Sequence, residues 1–100
     1  MIKKQVILVD FDGVLSTGEA WTPEDCEKAE PIEENIKKVN ELAKYNFIVV
    51  YTARRDELIY ASLKWLKRHG VEFDAISNNK TAANYYVDDK NTDLDTLKEV

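Results

Sequence analysis

Val6-Ile7-Leu8-Val9-Asp10-Phe11-Asp12-Gly13-Val14-Leu15 is a buried strand running into an acidic turn. Residues 6–9 are all apolar and mostly β-branched, the composition of a strand covered on both faces. Asp10 follows that run directly and Asp12 comes two residues on, so both carboxylates point the same way at the strand's carboxyl end. Working outward, Phe47–Tyr51 repeats the pattern and is followed by Thr52. Residues 73–76 read as a short third strand. Tyr85-Tyr86-Val87 reads as a fourth and ends at Asp88-Asp89.

Helical patterns separate these runs. Pro31 suits a first helical turn, and Ile32, Ile36, Val39, Leu42 and Ala43 form an apolar stripe behind it. Asp56 can cap a second helix with an apolar face of Ile59, Leu63 and Leu66, and Gly70 lies just past its end. Tyr60 and Trp65 read as packing on that helix, and His69 as a partner of its dipole. Residues 94–100 are long enough for about two further turns. Residues 16–30 are polar, carry Gly18 and Pro23, show no period, and read as loop. Strands alternating with helices imply an α/β fold with a parallel sheet and right-handed crossovers.

Composition bounds the function. At 100 residues the chain is a single domain, 1–100, with 44% hydrophobic and 33% charged residues. No apolar run approaches the roughly 20 residues that span a bilayer, and the first residues show no signal-peptide pattern. With one cysteine, Cys26, there is no intrachain disulfide. These features suit a cytoplasmic protein. Cys26 lies among acidic residues, a setting unsuited to a thiolate nucleophile. The three glycines, Gly13, Gly18 and Gly70, are too few and too scattered for either common glycine-built phosphate loop. A net charge of −5 disfavours nucleic acid as partner.

In an open α/β sheet, ligands bind outside the carboxyl ends of the strands. Asp10, Asp12, Thr52, Asp88 and Asp89 all fall on that edge. So many carboxylates repel unless a cation joins them, and oxygen donors favour Mg²⁺ over softer metals. Lys80 can supply a fixed positive charge, and Thr52 a hydroxyl for an oxyanion. The set suits phosphoryl transfer. Arg54 and Arg55 are candidates for touching substrate, or only for pairing with surface carboxylates. Trp21 reads as a rim aromatic packed on the core, with stacking on a substrate ring as the alternative.

Val6 to Leu15 resembles the first motif of the haloacid dehalogenase superfamily of phosphohydrolases. Val49-Val50-Tyr51-Thr52 is similar to its second motif, Lys80 to its third, and Tyr86-Val87-Asp88-Asp89 to its fourth. Together with Thr52-Ala53-Arg54-Arg55, Trp65-Leu66 and Gly70, these resemble the small capless members. The resemblance implies a Rossmann-like three-layer sandwich with no cap domain, its mainly parallel sheet in the order 4-1-2-3. It implies Asp10 as nucleophile and metal ligand, and Asp12 as general acid and base whose main-chain carbonyl also binds Mg²⁺. Thr52 and Lys80 would hold the phosphoryl group. Asp88 would bind the metal, with Asp89 or Asp93 in support.

The expected function is therefore a magnesium-dependent phosphatase acting on a phosphomonoester. Without a cap the site is open, so the substrate can be a small phosphorylated molecule or a bulky one, and a neighbouring subunit can serve as cover. Two other classes fit the same fold. One is a catalytically silent scaffold. The other is a phosphoacceptor signalling module, whose acceptor aspartate would end the middle strand, where this chain has Thr52.

Overall fold

The computed structural model describes residues 5–18, 20–79 and 82–88. Strands β1 (Val6–Asp10), β2 (Phe47–Tyr51), β3 (Ala75–Ser77) and β4 (Tyr85–Val87) form one sheet in the order β3-β2-β1-β4. Every pairing in it is parallel. This is the expected order read from the opposite edge, and the class is the expected Rossmann-like α/β. Helices α1 (Pro23–Lys28), α2 (Glu33–Ala43) and α3 (Ile59–Arg68) complete it, with a 3₁₀ turn over Asp56–Leu58. The helix expected over 94–100 lies outside the described residues.

The alternation of a strand decides which side chains meet the helices. Ile7, Val9, Ile48, Val50 and Val87 point to one face and pack with Ile36, Val39, Leu42 and Ala43 of α2 and with Trp65 and Leu66 of α3. Each such side chain, fully buried, contributes about 1.5–3 kcal/mol. The α2 stripe is the one the sequence predicts. The α3 face is rotated from its prediction: Ser62, Trp65 and Leu66 are the buried positions. Tyr60, expected to pack, is 72% exposed and has the Lys64 ammonium near its ring.

Gly70 ends α3 with φ +69°. Its N–H donates to Lys67 O (3.2 Å) and that of Val71 to Leu66 O (3.0 Å), a Schellman closure that needs the left-handed residue. The ring of His69 packs tilted against that of Trp65, their centres 4.4 Å apart.

Four local expectations need correction. Residues 16–30 are not all loop, because Thr22 and Asp25 form a capping box that starts α1, with Pro23 in its first turn. Pro31 precedes α2 instead of opening it. It bridges to Ser16, and Ile32 N–H donates to Leu15 O (2.9 Å), which holds this stretch extended. Asp56 is not a cap; Arg55 occupies that position, and Asp56 accepts a hydrogen bond from the Asn78 amide. Finally, β3 starts at Ala75 because Asp74 is turned to clasp Ile48, its N–H on Ile48 O and its carboxylate on Ile48 N–H, both 2.8 Å.

Candidate active site

The sheet register assembles the carboxyl edge. Asp10 pairs with Tyr51, and Val9 pairs with Val87, so Asp88 comes level with Asp10 on the neighbouring strand. Asp10, Asp88, Tyr51, Tyr86, Leu8 and Val87 line a cleft of about 10 Å³. That is room for about one water-sized occupant. Two of the expected carboxylates are thus brought together. Among the described residues no cluster of three or more His, Cys, Asp or Glu side chains forms a metal-holding group. Lys80 and Asp89 lie outside the described residues.

Beyond β1 the chain continues its ladder for one residue, with Phe11 N–H on Tyr51 O (2.8 Å). It then closes on itself. The N–H groups of Leu15 and Ser16 both donate to Phe11 O, at 3.0 and 3.2 Å, and Gly13 N–H donates to Ser16 O at 2.8 Å. Gly13 adopts φ +90° within this loop, a conformation strained for any residue with a Cβ. Phe11 is driven into the core between the two aspartates. Asp12 emerges on the far side of the turn, its side chain 23% exposed.

Asp12 meets Arg54. The guanidinium donates from Nη2 to Oδ1 at 2.7 Å and from Nε to Oδ2 at 3.4 Å. Arg54 is itself buried, its side chain 2% exposed. Its Nη1 donates to Ser62 Oγ (2.8 Å) and contacts Cys26 Sγ (3.5 Å), and its charge lies 4.0 Å from the centre of the Phe11 ring. The Arg55 side chain, by contrast, is 81% exposed and pairs with Glu57, at 3.7 Å. Thr52 exposes no surface. Its N–H donates to Ser77 O (3.0 Å), and its hydroxyl accepts the Arg54 N–H (3.1 Å).

The grip of Arg54 on Asp12 is the feature sequence reasoning missed. One signal was available: Ser62 lies four residues from Leu58 and from Leu66, a polar residue on an otherwise buried stripe. Trp21 is not packed on the core but 75% exposed. Cys26 is fully buried and faces a guanidinium instead of carboxylates. A larger cavity of about 670 Å³, lined by Ala43, Tyr60, Leu63, Val71 and Phe73 among others, contains none of the expected site residues.

No protein-family model matches the chain, and none of the curated proteins matches it in sequence. Among solved structures, one described as a conserved protein coded by a locus of Bacteroides thetaiotaomicron is similar. It superposes with a TM-score of 0.72 at 22% identity, covering 95% of this chain and 87% of that one. At that identity the likeness establishes the fold alone. No helix among the described residues is long and apolar enough to cross a membrane.

Proposed function

We propose that this chain is a magnesium-dependent phosphatase of the haloacid dehalogenase type, hydrolysing a phosphomonoester through an aspartyl-phosphate on Asp10. The observation that carries the reading is the shared cleft of Asp10 and Asp88 at the carboxyl edge of a parallel sheet, with Asp12 on the adjoining turn. An edge of this kind is where α/β folds bind ligands. The motif order gives independent support.

The donors fit a hard cation. Asp10 and Asp88 offer carboxylate oxygens and no sulfur or imidazole lines the cleft; the motif resemblance would add the main-chain carbonyl of Asp12. Mg²⁺ held there would neutralise charge on the phosphoryl oxygens. A carboxylate oxygen of Asp10 attacks phosphorus, the ester P–O bond breaks, and the departing oxygen takes a proton from Asp12. Water then gives a proton back to Asp12 and attacks the acyl phosphate, releasing inorganic phosphate and restoring Asp10. Asp12 thus serves as acid in the first half and as base in the second. Lys80 would add a fixed cation and Asp89 would support the metal ligands; both assignments rest on the motif order.

The substrate class is a phosphorylated small molecule or a bulky phosphomonoester, and the net charge of −5 keeps nucleic acid a poor partner. Among the described residues between Leu15 and Pro31 the six-residue α1 is the one helix, so cover for the site would come from the substrate or a second subunit. The single buried thiol suits a cytoplasmic setting.

The deciding test is phosphate release from an aryl phosphate with Mg²⁺ and with EDTA, comparing wild type with Asp10→Asn. Activity is expected only when both Mg²⁺ and Asp10 are present. Release that survives Asp10→Asn removes the mechanism. Absence of turnover in the wild type, together with no Mg²⁺-dependent trapping of beryllofluoride, leaves a silent binding fold.

A further inference from the structure

Burying a guanidinium costs several kcal/mol unless every donor is matched. Four of the five guanidinium N–H groups of Arg54 have partners among the described residues, two on Asp12 and one each on Ser62 and Cys26, and the Phe11 ring lies against the charge. Cys26 comes from α1, Ser62 from α3, and Phe11 from the turn after β1. Each link has a defined direction. Ser62 gives its own hydroxyl proton to Leu58 O (2.8 Å), so its oxygen can only accept from Arg54. The main-chain N–H of Arg54 is in turn held by Thr52 Oγ1. The cation is therefore fixed from behind. Its outward side carries Asp12, which is more exposed than the arginine that holds it.

From this we infer that Arg54 is the positioning residue of Asp12: it fixes the carboxylate that exchanges protons with the leaving group and the water, and it does not bind substrate. The inference rests on the phosphatase reading above. The two oxygens of Asp12 are held unequally, Oδ1 by a short bond of 2.7 Å and Oδ2 by a long contact of 3.4 Å. Oδ1 is the anchored atom and Oδ2 the more loosely held one, the oxygen left freer to exchange a proton. A lysine could not reproduce this arrangement, because the fork that meets a carboxylate side-on belongs to arginine. Without the fork, Asp12 rides on a turn containing Gly13 and samples other rotamers.

A leaving-group comparison tests the assignment, since only a poor leaving group needs the acid. Wild type, Arg54→Gln, Arg54→Lys, Ser62→Ala and Asp12→Asn would be assayed with Mg²⁺ on 4-nitrophenyl phosphate and on glycerol 1-phosphate. Thermal melts would identify any variant that has lost its fold. Arg54→Gln is expected to lower kcat on glycerol 1-phosphate by about 100-fold or more, with KM little changed, and on the nitrophenyl ester by less than about 10-fold. Asp12→Asn should show the same asymmetry, and the double variant should lose little beyond either single one. Arg54→Lys and Ser62→Ala should fall between wild type and Arg54→Gln in the same selective manner.

A rise in KM at constant kcat would make Arg54 a substrate ligand and overturn the inference. Equal loss on both esters in a folded variant, or no loss at all, overturns it too. If wild type hydrolyses neither ester and traps no beryllofluoride with Mg²⁺, the phosphatase reading itself falls and the role goes with it. An active wild type with an unselective Arg54→Gln sinks the role alone.

Discussion

Asn84 holds Val6 at both of its peptide groups: Asn84 N–H donates to Val6 O, and Asn84 Oδ1 accepts from Val6 N–H, each at 2.8 Å. Asp74 treats Ile48 in the same way on the opposite side of the sheet. In each case the residue just before an edge strand clasps the adjacent inner strand. The edge strands have only three residues each, so ladder bonds alone give them little hold. The clasp sets the register before the pairing begins. On the β4 side that register brings Asp88 level with Asp10.

Asn84→Ala and Asp74→Ala should each lower stability by about 1–3 kcal/mol, because a main-chain N–H loses its acceptor while the rest of the ladder stays. Urea denaturation followed by circular dichroism measures it. Only Asn84→Ala should also lower turnover on an aryl phosphate, since only β4 leads to Asp88. An equal effect of the two variants on turnover would detach the site from the β4 register.

The α1 cap responds to acid with a defined sign. Asp25 has its carboxyl held below the ordinary value of 3.8, chiefly by the main-chain N–H of Trp21, with further bonds from the Thr22 hydroxyl and N–H. A folded value below the unfolded one means that the carboxylate stabilises the helix above the unfolded value. That contribution disappears as pH falls through the folded value. An NMR titration of the Asp25 carboxyl should give a midpoint below 3.8. Amide exchange at residues 21 and 22 should accelerate over the same range. A midpoint at or above the ordinary value would show that the box is open in solution.

The two tryptophans report on different regions. Trp65 is fully buried, with its indole N–H on Ala29 O at 2.8 Å and its ring 5.1 Å from that of Phe11, whereas Trp21 is 75% exposed. Trp21→Phe should leave a blue-shifted emission that resists acrylamide. Trp65→Phe should leave a red-shifted, readily quenched one. Trp65→Phe should also cost roughly 2 kcal/mol or more, because Ala29 O loses its donor and a void opens beneath the sheet. Strong quenching in Trp21→Phe would contradict the packing of α3.

Three of the strands, β1, β2 and β4, were legible because two patterns agree at each: a short β-branched or aromatic run, then a polar residue at its carboxyl end. The parallel sheet was expected from the helices between β1 and β2 and between β2 and β3. What escaped was decided by bonds that carry no period. The α1 helix is too short for an apolar stripe, and only Thr22, Pro23 and Asp25 announce it. Asp74 and Asn84 look like ordinary turn residues until their partners on other strands are known. Arg54 was visible as a candidate, but its orientation depends on Ser62 and Cys26, which reach it from other helices. Long-range polar contacts of this kind leave no mark on hydropathy.

Thr52 is the residue whose role the geometry sharpens most. A hydroxyl meant to touch a phosphoryl group needs an open face, yet Thr52 is wholly buried, and its oxygen accepts the N–H of Arg54 at 3.1 Å. Its evident work is to close the turn from which the Arg54 side chain departs, toward Asp12. Thr52→Val keeps the volume and removes the acceptor, so it should cost about 1–3 kcal/mol of stability. Its kinetic signature should follow that of Arg54→Gln, with turnover of an alkyl phosphate falling far more than that of a nitrophenyl ester. Thr52→Ser keeps the oxygen and should stay close to wild type in both respects. Comparable losses on both esters in a folded Thr52→Val would instead assign the hydroxyl to direct contact with the transferring phosphoryl group, since removing one such donor slows good and poor leaving groups alike.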